Sequence, residues 1–94
     1  MSENILTLHP QGKEGVNISR AKYDTVRGAI ITALADAGTL TFTQLTDQVR
    51  QMLGETFDGS INWYVTTVKL DLEARGIVER VPKSRPQQLR LSQR

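Results

Sequence analysis

Between Ser60 and Leu91 the apolar residues change their spacing once, and a single glycine marks the change. Ile61, Val65, Val68 and Leu72 recur at steps of three and four, which predicts one buried stripe along a helix running to Arg75. Gly76 is placed to stop that helix in a left-handed conformation. Ile77 to Val81 is rich in branched residues and reads as a strand, and the alternating Gln88 to Leu91 reads as its partner. Pro82 and Pro86 bracket a tip of Lys83, Ser84 and Arg85, where no ladder donor is needed. A helix followed directly by a hairpin constrains the fold more than any other stretch.

Upstream, two further helices are legible from their ends. Ser19 is placed to cap a first helix whose apolar positions are Tyr23, Val26, Ile30, Ala33 and Ala37, with Gly38 as its stop. Thr39 to Phe42 is too short for more than a single strand step. Thr41 and Gln44 then stand in capping-box positions, and Leu40 and Leu45 occupy the two positions of a hydrophobic staple, so a second helix starts near Thr41. Its inner face is Leu45, Val49 and Leu53, and Gly54 closes it. Either Asp58 or Ser60 can cap the third helix. Residues 1–18 carry glycines, a proline and mixed polar residues without helical period, and read as an extended arm without a fixed partner, ahead of a domain spanning 19–94.

At 94 residues the chain has room for one core and one domain. It has no cysteine, which excludes disulfides, thiolate metal sites and cysteine nucleophiles and fits a cytoplasmic location. The first residues show no basic leader followed by a long apolar run, and no stretch approaches membrane-spanning length, so neither export nor a membrane is expected. His9 is the single histidine and has no ligand constellation around it, so no metal or other cofactor is expected. Gly12, Lys13 and Gly15 lack the spacing of a phosphate-binding loop and read as a plain loop. No serine has a recognisable base and orienting acid, and no small-molecule substrate pocket is evident, so the chain does not read as an enzyme. Asp71 and Glu73 read as partners in solvated helix pairs with Lys69 and Arg75.

Net charge is only +2, but the distribution is uneven. Up to Asp58 acids outnumber bases, whereas seven basic residues face three acids from Gly59 onward. After Glu79, the residues Arg80, Lys83, Arg85, Arg90 and Arg94 occur with no acid among them.

The stretch VTTVKLDLEARGIVERV, from Val65 to Val81, resembles the recognition helix and first wing strand of winged helix-turn-helix proteins. Through KYDTVRGAI and NWYVTTVKLDLEARG the chain is also similar to small bacterial winged-helix proteins of unassigned function. The resemblance covers roughly Ser19 to Leu91. It implies a mainly α fold with a small β-hairpin, that is, a three-helix winged helix-turn-helix. It further implies a DNA-binding module of transcription-regulator type, with Ser60, Asn62, Trp63, Thr66 and Lys69 facing the major groove. Asn62 would pair with an adenine edge, Thr66 with a thymine methyl, and Lys69 with a phosphate or guanine. Lys83 and Arg85, with Arg80 and Arg90, would supply attraction to phosphate.

Helical geometry qualifies that reading. Trp63, Thr66, Thr67, Leu70 and Ala74 lie roughly opposite the buried stripe, so the face implied to read DNA is partly apolar. A second protomer, a different protein, or the arm through Ile5, Leu6 and Leu8 are the three coverings available. The first two define an alternative function: a protein-interaction module, by self-association or as an adaptor, on the outer face of the third helix. Tyr64, beside the stripe, is expected to join the core.

Overall fold

Each helix begins at a hydroxyl that satisfies a backbone donor of its own first turn, and the computed structural model, which describes residues 3–92, shows all three caps formed. The Arg94 counted in the basic segment lies outside those residues. Helix α1 is Arg20–Ala37, and its Ser19 hydroxyl accepts from the Lys22 amide at 3.4 Å. Gly38, at φ 84°, turns its own N–H onto the Leu34 carbonyl at 2.8 Å and ends the helix. Strand β3, Leu40–Thr41, leads into α2, Phe42–Leu53. There the capping box is complete: Gln44 N–H donates to Thr41 Oγ1 at 3.2 Å and Thr41 N–H to Gln44 Oε1 at 3.0 Å. Helix α3, Ile61–Ala74, takes Ser60 as its cap.

The three helices enclose one core. Tyr23, Val26, Ile30, Ala33 and Leu34 of α1 meet Leu45 and Val49 of α2 and Val65, Val68 and Leu72 of α3, all buried. Leu40 of the staple is buried with Leu45, whereas Ala37, expected inside, faces solvent and Leu34 takes its role. Burying a valine or leucine fully is worth about 1.5–3 kcal/mol, so these stripes hold the helices together.

Strands β4, Val78–Arg80, and β5, Gln88–Leu91, form the expected hairpin. Strand β5 lies in the middle of an antiparallel sheet of order β3-β5-β4, because β3 pairs it through Leu40 and Leu89. Val78 and Leu89 point inward and are buried, which ties the base of the hairpin to the core.

Residues 3–18 correct the expectation of an extended arm. Strands β1, Asn4–Leu6, and β2, Asn17–Ser19, pair antiparallel with Ile5 opposite Ile18, and β2 runs across the expected boundary into the cap of α1. The alternation is short, with Ile18 and Thr7 buried, Ile5 half-buried, and Leu6 and Leu8 outward. Three bonds between Thr7 and Val16 close the connecting loop, two using the Thr7 hydroxyl and one its amide. Only glycine fits at position 15, since a Cβ there would stand 1.7 Å from the Thr7 carbonyl oxygen. Among the described residues the architecture is mixed α/β, three helices with two small antiparallel sheets, and thus richer in strand than expected.

Candidate nucleic-acid interface

The outer side of α3 and the β4–β5 tip carry the residues implied to touch a partner. Asn62, Trp63 and Thr66 are exposed on α3. Ser60 is exposed too, but its hydroxyl is engaged, accepting from the Trp63 amide at 3.2 Å as the helix cap. The Thr66 hydroxyl donates to the Asn62 carbonyl at 2.8 Å, which leaves its methyl group outward. Trp63 is 45 % exposed and ends an aromatic row. Its ring meets Tyr64 edge-on at 4.9 Å, and Tyr64 meets Phe57 edge-on at 5.1 Å. Tyr64 itself is half-buried against the core. The β1–β2 hairpin leaves Trp63 uncovered, and its own Leu6 and Leu8 stay exposed.

Electrostatics divides the basic residues into two groups. Lys69 is withdrawn: its side chain is only 13 % exposed, its ammonium stands 3.4 Å from Glu73 Oε2, and it lies 5.7 Å from the Phe42 ring centre. That contact lacks hydrogen-bond geometry, so Glu73 Oε2 is held by charge alone. The other Glu73 oxygen accepts from Arg80 Nε at 2.8 Å. Arg90 faces Glu79 across the β4–β5 ladder and donates to it at 2.6 Å. Lys69, Arg80 and Arg90 are therefore compensated at close range and contribute little field outward. Lys83 and Arg85 are exposed at the tip, and neither forms an ion pair among the described residues.

The tip that carries them is internally braced. Ser84 Oγ donates to the Val81 carbonyl and accepts from the Gln88 amide, both at 2.8 Å. Lys83 sits at φ 62°, a left-handed conformation that glycine adopts at lower cost.

One residue that sequence reasoning passed over organises this surface. Arg50, in the last turn of α2, donates from Nη2 to Asn62 Oδ1 at 2.8 Å and from Nη1 to Asp47 at 3.5 Å. A shallow, open depression of about 250 Å³ lies between α2 and α3 at this point, lined by Phe42, Thr43, Thr46, Asp47, Arg50 and Asn62. Arg50 lies 12 residues before Asn62, and the meeting of the two is visible only once α2 and α3 are packed together.

Asp71, expected in solvent, is fully buried. Its Oδ1 accepts from the Leu8 amide at 2.8 Å, and its Oδ2 accepts from the Tyr23 hydroxyl and from Arg75 Nε, the latter at 2.8 Å. The expected pairing with Arg75 is real, but it serves a carboxylate that joins α1, α3 and the N-terminal hairpin. Burial, reinforced by the Asp71 carboxylate that takes its hydrogen bond, pushes the Tyr23 phenol from 10.0 up to about 12. The same carboxylate holds the Arg75 guanidinium more firmly protonated than usual. Glu73 likewise forms its expected pair with Lys69, yet is 7 % exposed and not solvated.

His9 is half-buried, with Nδ1 accepting from the Gln11 amide at 3.1 Å. Among the described residues no group of three His, Cys, Asp or Glu side chains is placed to hold a metal ion, and no helix is long and apolar enough to cross a membrane.

These features define a small three-helix module whose prominent surface elements are one helix face and one cationic hairpin tip. Residues 4–89 match the family described as Family of unknown function (DUF6958), and the chain belongs to that family. No curated protein and no solved structure matches it.

Proposed function

We propose that this chain is a winged helix-turn-helix module that binds duplex nucleic acid, with the exposed half of α3 toward the major groove and the β4–β5 hairpin as a wing on phosphate. The supporting order is α1, α2, α3 and then a hairpin whose second strand β3 joins. The observation that carries the reading is the tip itself. Lys83 and Arg85 are exposed and form no ion pair among the described residues, whereas acids hold the three other candidate cations. A lysine kept where glycine is conformationally cheaper fits a demand for charge at that point.

So few uncompensated cations give weak binding, with Kd on the order of 10⁻⁴ to 10⁻⁶ M and a steep dependence on salt. Fluorescence anisotropy with a mixed-sequence duplex at rising salt tests this. The double variant Lys83→Glu/Arg85→Glu is expected to weaken binding to every duplex alike and to flatten the salt slope by roughly two units. Parent-like binding by that variant removes the wing from the contact surface.

Trp63 favours a second reading. An indole 45 % exposed at the end of an aromatic row is an anchor of the kind found at protein interfaces. Self-association that is insensitive to salt and lost in Trp63→Ser would make α3 a protein-docking face instead.

A further inference from the structure

The Arg50–Asn62 contact changes what the start of α3 is able to read, given the duplex-binding role proposed above, on which this inference rests. An arginine side chain has donors and no acceptor, so the Asn62 amide must turn its oxygen to Arg50 for the 2.8 Å bond to exist. Asn62 thereby offers its N–H₂ group outward, beside a positive guanidinium. Pairing with adenine needs the reverse balance, one acceptor for N6–H₂ and one donor for N7. A neighbouring guanidinium disfavours approach of the adenine amino group to that oxygen.

Arg50 is itself held on two sides. Asp47 takes one hydrogen from Nη1 at 3.5 Å and Asn62 takes one from Nη2 at 2.8 Å, while the side chain remains 50 % exposed. Each terminal nitrogen keeps a second N–H, so a two-donor fork is left on the guanidinium. Such a fork matches the N7 and O6 acceptors of guanine. Asp47 also cancels much of the arginine charge, so this group adds little attraction to phosphate and acts on base identity instead.

The geometry points to Arg50 as the base-reading residue of this module, with guanine as its partner and Asn62 and Asp47 as positioning residues that hold its fork. The adenine contact implied for Asn62 is replaced by this assignment.

Binding is measured for two duplexes of equal length, one with a central run of G·C pairs and one of A·T pairs only, at one low salt concentration. The full chain is compared with Arg50→Lys and Asn62→Ala, each checked for parent-like circular dichroism. The expected result is about a tenfold preference of the parent for the G·C duplex. Arg50→Lys is expected to lose that preference while keeping the salt slope, and Asn62→Ala to reduce it in part. Salt-sensitive binding by the parent without preference, or a preference unchanged in Arg50→Lys, overturns the assignment and leaves the duplex-binding reading standing. Absence of binding to both duplexes at low salt overturns the two together.

Discussion

The two hairpins of this protein have similar strands and differ in how their loops are held. The β1–β2 hairpin is held along its inward residues Ile5, Thr7 and Ile18 and again beside its loop, where the Leu8 amide meets buried Asp71 on α3. The β4–β5 hairpin is held through its strands, by Val78, Leu89 and the pairing of Gln88 and Leu89 with β3, and its tip stands clear with Lys83 and Arg85 exposed. The loop of the first hairpin is tied into the fold, whereas the tip of the second is free for the contact proposed above. On this contrast, substitutions in the first should act on stability, and substitutions at the tip of the second should act on binding.

The largest effect is expected at Asp71. In Asp71→Ala the Tyr23 hydroxyl, the Arg75 guanidinium and the Leu8 amide lose their acceptor at once. A loss of about 3 kcal/mol in urea unfolding is expected, with faster hydrogen exchange at Leu8. Unchanged exchange at Leu8 would break the claim that the loop of the first hairpin is latched.

Alkaline titration gives a comparable test without mutation. The Tyr23 phenol is raised from 10.0 to about 12, so the folded state favours the protonated form. Its contribution is fully present below pH 10 and is lost as pH rises through about 12, amounting to about 2–3 kcal/mol. Denaturation midpoints at successive pH values should fall across that window in the parent and less in Tyr23→Phe.

Gly15→Ala should follow, because the added methyl meets the Thr7 carbonyl carbon and oxygen in the closed loop. Overpacking of this kind costs about 1–3 kcal/mol, read as a lower melting temperature. The smallest stability change is expected for Lys83→Glu/Arg85→Glu, within about 0.5 kcal/mol, while its duplex binding falls. A marked loss of stability in that variant would put the tip on the same footing as the first hairpin.

The charges show why the candidate surface was only partly legible. Lys69, Arg80, Lys83, Arg85 and Arg90 look alike along the chain, and only Lys83 and Arg85 remain uncompensated. Glu79 reaches Arg90 because the strand register sets them opposite each other, and Glu73 reaches Arg80 because β4 turns back beside α3. Neither relation follows from spacing alone. The burial of Asp71 was not legible for a similar reason: its partners Tyr23 and Leu8 lie 48 and 63 residues away.

What the chain determined by itself was the position of its helices and of its C-terminal hairpin. Ser19, Thr41 and Ser60 act on backbone donors three residues ahead, and the apolar stripes repeat within a turn, so those instructions are complete in a short window. Tertiary structure decided that residues 4–19 form a second hairpin, that three of the five candidate cations are neutralised, and that Arg50 meets Asn62. Each of these depends on groups brought together by helix packing, and a hydrogen bond or ion pair between distant residues exists only once the core has set their separation.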